Sequence, residues 1–232
     1  TFRQDGQYED GRRPSGVTFS TPEMDAQRRD FTVNALFWDP VLDKIIDHVG
    51  GVADLGAKLL RAVGRPSRRF GEDKLRLLRA VRLAASLGFE IEPSTWRAVR
   101  RHRKEVLAVS AERVRDELTK MLTGPAPARA LDLLEKSGML ALLLPEVAAC
   151  KGVAQPPQFH PEGDVYAHTR LMLALMDRKP LALAWAVLLH DIGKPETMTV
   201  EAGKIMFHGH AAKGSEMAKD IMRRLRFSGA DS

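Results

Sequence analysis

The sequence predicts a mainly α fold with a small α/β part at its N-terminal end. Three observations point there. From Phe70 onward apolar residues recur at the helical period, while residues 1–63 mix strand-like alternation with short helical runs. The Gly50-Gly51 pair punctuates the mixed part. The segment "KGVAQPPQFHPEGD" (151–164), rich in Pro and Gly, reads as a connector between two helical parts. The expected organisation is therefore 1–63, 64–150 and 151–232.

Taken in order, "GVTFS" (16–20) reads as a strand, and "MDAQRRDFTVNALF" (24–37) as a helix running into a strand. "KIIDHV" (44–49) and "LLRAVG" (59–64) are two more strand candidates. Helices are expected over 71–87, 93–107, 111–122, 127–137, 164–177, 180–190 and 210–226. Pro93 suits a first helical turn, Gly88 a helix end, and Ser110 an N-cap.

Composition narrows the function classes. The 232 residues are 44% hydrophobic and 28% charged, ordinary for a soluble globular protein. A net charge of +6 allows a polyanionic partner. The single Cys150 excludes an intrachain disulfide and fits a reducing compartment. The apolar run "PLALAWAVLLH" from Pro180 is far short of the roughly 20 residues that span a bilayer. With no signal-peptide pattern, a cytoplasmic protein without a membrane partner is the expectation. The chain opens on Thr1 rather than Met and closes at Ser232 just after a helical pattern, which leads us to expect a piece of something longer.

The stretch "RRFGEDKLRLLRAVR" (68–82) carries the first chemical signal. Arg76, Arg79 and Arg82 recur every third residue, with Asp73 one step earlier, so a continuous helix would stand Asp73 beside Arg76. The plain reading is a solvated face with Glu72 paired to Arg76. The sharper one rests on pairing edges. Cytosine and adenine each show an amino donor beside a ring-nitrogen acceptor, and guanine and uracil show the reverse. A carboxylate that only accepts, next to a guanidinium that only donates, matches C and A and opposes G and U. Arg79 and Arg82 would remain for phosphates.

"RRDFTVNALFWDP" (28–40), "IIDHVGGVADLGAKLLRAVG" (45–64) and "GEDKLRLLRAVRLAASLGF" (71–89) resemble consecutive motifs of bacterial tRNA nucleotidyltransferases, the CCA-adding enzymes, and of the related poly(A) polymerases. The resemblance implies a nucleotidyltransferase head followed by a helical neck. It places Arg28, Arg29, Asp30 and Asn34 on the family's RRD motif, which contacts the ribose and triphosphate of the incoming nucleotide. It places Glu72, Asp73 and Arg76 on the EDxxR motif, whose Asp and Arg pair with the base. Asp47, Gly50, Gly51 and Asp54 resemble the hinge between head and neck, although those glycines also suit an ordinary tight turn.

Transfer needs two Mg²⁺ ions held by carboxylates. The family's paired aspartates follow a Gly-Gly-x-x-Arg-Asp motif that this sequence lacks, and "TFRQDGQYEDGRRP" (1–14) resembles the head after its catalytic strands. The ligands are thus expected before Thr1, and this chain alone is expected to be inactive.

"HPEGDVYAHTRLML" (160–173) and "AWAVLLHDIGKPETM" (184–198) resemble a truncated HD domain, with His168, His190 and Asp191 as ligands of a divalent metal and His210 favoured over His208 as the next. "RAVRRHRKEV" (97–106) supplies a basic cluster of Arg97, Arg100, Arg101 and Arg103, with Arg61, Arg65, Arg68 and Arg69 a second. Both suit solvated surface or a tRNA backbone. The implied function is template-independent addition of C and A to tRNA from CTP and ATP. A poly(A) polymerase, a partial-CCA enzyme, an HD phosphohydrolase and a noncatalytic RNA-binding protein are the alternatives.

Overall fold

The computed structural model describes residues 3–5, 17–177 and 180–228. Most of 1–14, assigned above to the head, lies outside them. The chain forms two compact units, Thr1–Ala108 and Val109–Ser232.

In the first unit β1 (Arg3–Asp5) pairs antiparallel with β2 (Val17–Phe19). Helix α1 (Pro22–Arg28) starts where Thr21 Oγ1 accepts from the Met24 amide at 3.3 Å and Pro22 sets the first turn. The helix and the strand expected over 24–37 are both present, but the helix ends at Arg28 and does not run directly into the strand. Asp30 accepts from its neighbour Phe31 N at 2.9 Å, a local bond that competes with helix continuation. A 3-10 turn (Thr32–Asn34) then leads into β3 (Leu36–Asp39), which pairs antiparallel with β4 (Lys44–Asp47).

Helix α2 (Gly51–Gly56) precedes β5 (Leu59–Leu60), shorter than expected because residues 61–63 instead pair with 30–32 through Thr32 N to Arg61 O and Val63 N to Asp30 O, both 3.0 Å. β5 runs parallel to β6 (Glu90–Ile91).

The helix expected over 71–87 is two helices, α3 (Pro66–Glu72) and α4 (Arg76–Leu87). Asp73 between them is extended, and its carboxylate accepts from Leu75 N at 3.0 Å, an Asx turn that breaks the helix. Gly88 closes α4 in the left-handed conformation, φ 67°. Helix α5 (Pro93–His102) begins with Pro93 as expected but gives way to a 3-10 stretch (Arg103–Ala108) rather than reaching 107. Phe31, Leu60, Phe70, Leu77, Leu78, Val81, Val99 and Val106 are fully buried in this unit. Each contributes about 1.5–3 kcal/mol of burial.

The second unit is built from α6 (Ala111–Leu122), α7 (Pro127–Ser137), α8 (Leu140–Leu143), α9 (Pro145–Ala149), α10 (Val165–Leu175), α11 (Leu181–Leu189), α12 (Lys194–Thr197) and α13 (His210–Arg224). Ser110 holds the extended N-cap backbone of α6 but makes no side-chain cap bond. Asp164 caps α10, accepting from Ala167 N at 2.7 Å. Its fully buried side chains include Leu118, Met139, Leu140, Leu144, Leu173, Ile192 and Trp185, and the Trp185 Nε1 donates to Thr119 Oγ1 at 3.1 Å.

One element was not foreseen. β7 (Met198–Glu201) and β8 (Lys204–Phe207) form a hairpin closed by Ala202 and Gly203, both at positive φ (48° and 77°). That is the turn a two-residue hairpin loop requires. The alternation in "TVEAGKIMF" carried the signal.

Candidate nucleotide, RNA and metal sites

The end of α1 collects the arginines of the first unit. Arg28 donates to Asp25 Oδ1 through Nε (2.8 Å) and Nη2 (2.6 Å), and Arg29 to Asp25 Oδ2 at 3.1 and 3.0 Å. One carboxylate, 1% exposed, therefore orients both. Sequence reasoning passed over Asp25, although carboxylate and arginine three and four residues apart on a helix are a recognisable pair. The two guanidiniums also make separate contacts: Arg29 Nη1 reaches Asn34 O at 2.9 Å and stacks over Phe37, 5.1 Å from the ring centre. Asp30 accepts from Asn34 Nδ2 at 3.3 Å and binds Arg79 at 2.6 Å. Arg79 thus reaches the RRD motif from α4.

Asp73 and Arg76 do not stand side by side on one helix face, because the Asx turn separates them. Arg76 is 8% exposed and faces α3 and α1, donating to Glu72 Oε2 and Arg69 O at 2.9 Å each and to Arg28 O at 3.1 Å. Glu72 also binds Arg69 at 2.7 Å and Arg68 at 3.3 Å. The Glu72–Arg76 pair of the plainer reading is present. Arg69 adds Gln27 O at 2.8 Å, so cations converge on the C-terminal carbonyls of α1, where the helix dipole favours them. Arg82 lies half-buried on α4.

The Asp47–Asp54 segment is a densely bonded cap. Asp47 Oδ1 accepts from Val49, Gly50 and Gly51 amides, and Oδ2 from Val52, all at 2.9–3.0 Å. Desolvation opposes ionisation there, but these four donors outweigh it and hold the carboxyl below its ordinary value. Gly50 sits at φ 82°, and a Cβ on Gly51 would lie 2.3 Å from Thr32 O, so both positions demand glycine. Buried Asp54 accepts from Thr32 Oγ1 at 2.7 Å and Arg61 Nε at 3.1 Å.

Helix α5 differs. Glu92 caps it, accepting from Ser94 N (3.0 Å) and Thr95 N (2.8 Å). Desolvation works against the charge, yet the Ser94 and Thr95 bonds bring Glu92 down to about 2. Arg97, Arg100 and Arg101 are exposed and meet no carboxylate among the described residues. Arg103 donates to Arg100 O at 2.7 Å.

In the second unit His168, His190 and Asp191 bring one ligand atom each within 4.8 Å of one another, and His160, Glu162 and His168 do likewise. Asp191 Oδ2 lies 3.1 Å from His190 Nε2 and 2.7 Å from Lys194 Nζ; His210 Nε2 is 4.0 Å from Oδ1. Burial alone would lower His190 and raise Asp191. Their mutual bond outweighs it, raising the imidazole and, with Lys194, holding the carboxyl well below its usual range. Imidazoles with a carboxylate suit a divalent transition metal, so the donor set fits the HD expectation. Lys194, buried and bonded to Gln155 Oε1 at 2.7 Å, was missed by sequence reasoning, as were His160 and Glu162. His160, Lys194, His208 and His210 also line a cleft of about 370 Å³ with Phe159 and Phe207. Among the described residues of the first unit no comparable donor group occurs.

Comparison with known proteins matches residues 1–61 to a family described as "Poly A polymerase head domain", 88–151 to "Probable RNA and SrmB- binding site of polymerase A", and 164–231 to "HD domain". The A-adding tRNA nucleotidyltransferase of Deinococcus radiodurans is 40% identical over 90% of this chain and 50% of its own length. A multifunctional CCA protein of Neisseria gonorrhoeae is 41% identical over 89% of this chain and 50% of its length. The chain belongs to the tRNA nucleotidyltransferase and poly(A) polymerase family.

A solved relative, the Bacillus stearothermophilus CCA-adding enzyme in complex with CTP, aligns with 97% of this chain and 62% of its own at 27% identity and TM-score 0.54. The chain spans about half the length of the curated tRNA nucleotidyltransferases it matches. Within this family member the head match holds Arg28, Arg29, Asp30 and the Asp47–Asp54 cap, and the RNA-binding match holds the α5 arginines. The HD match begins at Asp164, beyond His160 and Glu162.

Proposed function

We propose that the protein to which this chain contributes adds C and A to the 3′ end of tRNA without a template, using CTP, ATP and Mg²⁺ in the cytoplasm. The observation that carries the reading is the convergence of RRD and EDxxR residues at one end of α1, in a family member. In this reading Arg28, Arg29, Arg79 and Arg82 meet the triphosphate, and Asp30 accepts from the ribose. Asp73 and Arg76 read the pairing edge. Arg76 keeps donors to spare beyond Glu72, Arg69 O and Arg28 O, since a guanidinium has five N–H groups. Asp47, Gly50, Gly51 and Asp54 form the hinge, and Arg97, Arg100, Arg101 and Arg103 hold the RNA backbone.

Addition of A alone stays open as a narrower version, supported by the A-adding relative. Selection tests the proposal. In the full-length protein Asp73→Ala or Arg76→Ala lowers incorporation of C and A relative to G and U, by about 1–3 kcal/mol of discrimination. Unchanged use of all four nucleotides by both variants refutes the base-reading role.

A second reading concerns the His168, His190, Asp191 and His210 group, whose convergence favours metal-assisted hydrolysis of a phosphoester in the same protein. A bound divalent ion supplies hydroxide at neutral pH. Asp191 and the imidazoles would hold it, while Lys194 balances Asp191 and the cleft beside them would admit the ester.

A further inference from the structure

The imidazoles of the HD group share one arrangement. His190 Nδ1 faces Val187 O at 2.8 Å, and His210 Nδ1 faces Phe207 O at 2.8 Å. Their Nε2 atoms are the ones turned to Asp191, at 3.1 and 4.0 Å. A backbone carbonyl can only accept, so each Nδ1 carries a proton and donates it. His168 has no such carbonyl. Its Nδ1 lies 2.5 Å from Glu162 Oε1 instead.

We infer that Glu162 is the positioning residue that keeps the His168 proton on Nδ1, as the backbone carbonyls do for His190 and His210, so that Nε2 can offer its lone pair to a metal ion. This rests on the metal-centre reading above. The reason is chemical: a metal ligand imidazole needs a lone pair on one nitrogen, and the acceptor on the other decides which one it is. Without that acceptor an imidazole in water favours the Nε2–H form, which has no lone pair at the atom required.

The placement of Glu162 supports the assignment. It lies in the Pro/Gly-rich connector, six residues before His168, and reaches back to the first turns of α10, whose start is fixed by the Asp164 cap. The same Oε1 also takes His160 Nδ1 at 3.1 Å, and the two rings meet edge to face with centres 4.7 Å apart. His160 also lines the cleft. Glu162 and His168 are each 18% exposed, so the bond is only partly open to water.

The test uses the 232-residue chain with Mn²⁺ and Ni²⁺ as probes. Nitrogen NMR of the metal-free protein above the usual imidazole pKa should show His168 protonated at Nδ1. Glu162→Ala should shift it toward Nε2–H and weaken metal binding about 10–100-fold in calorimetry. Glu162→Gln, which keeps an acceptor oxygen, should retain the tautomer and most of the affinity. His160→Ala should change neither by much. An Nε2-protonated His168 in the unsubstituted chain overturns the inference. So does unchanged affinity in Glu162→Ala, equal loss in Glu162→Gln, or the same loss in His160→Ala. If the unsubstituted chain binds neither metal, the metal-centre reading fails, while the tautomer measurement still decides the role of Glu162.

Discussion

Two sets of arginines, both on helices of the first unit, are built in opposite ways. Those at the end of α1 and the start of α4 are clamped by carboxylates: Arg28 and Arg29 by Asp25, Arg79 by Asp30, and Arg76 by Glu72. Those of α5 are exposed and meet no carboxylate among the described residues. The difference matters for what each can recognise. A guanidinium locked in place loses little entropy on meeting a ligand and offers fixed donor directions, which is what selecting one nucleotide requires. Exposed arginines without such clamps give charge without a fixed direction, which suits a phosphate backbone read by shape. Net charge counts the two sets alike; structure separates them.

The largest effect should come from breaking the clamp. Asp25→Ala leaves two guanidiniums without their shared buried carboxylate, and losing one partner of such a pair costs about 3–5 kcal/mol. The lower end applies, because the Arg29 side chain is 38% exposed. Thermal melting measures it. A melting point within a degree of the unsubstituted protein would mean the arginines do not depend on Asp25.

A middle effect concerns what anchors α5 beneath its unpaired arginines. Glu92 is held down at about 2 by its cap bonds, so its contribution is complete above the ordinary carboxylate value of 4.5 and is lost as pH falls from there toward 2. Glu92→Gln should flatten the acid side of the stability curve and cost about 0.5–2 kcal/mol at neutral pH. An acid limb identical in both proteins would remove Glu92 as its source.

The smallest stability effect belongs to the exposed set. Replacing Arg97, Arg100 and Arg101 by Ala together should move unfolding by only about 0.5 kcal/mol per site. The salt dependence of tRNA binding should nevertheless fall by about 0.7–0.9 in logarithmic slope for each phosphate that is no longer neutralised. An unchanged slope assigns these residues to plain surface.

Several features were legible in the residues themselves. The helical period gave α6 and α7 their full ranges, Pro93 and Gly88 marked a helix start and a helix end, and Gly50-Gly51 marked a backbone that excludes side chains. These are local: each depends on a residue's own torsional limits or on neighbours a turn away. The break at Asp73 was also local, yet periodicity hid it, because Leu75, Leu77 and Leu78 keep their apolar rhythm across the turn while Asp73 bonds to the Leu75 amide. Motif order identified the RRD and EDxxR residues and the HD histidines as candidates. Which carboxylate meets which cation was settled only in three dimensions. Arg79 reaches Asp30 from 49 positions away, Arg76 turns from Asp73 to Glu72 and the α1 carbonyls, and Lys194 bonds Gln155 across 39 positions. Charge fixes neither direction nor partner in a sequence; packing does, by burying an acceptor such as Asp25 or Asp191 that must then be satisfied by whichever donor the fold delivers.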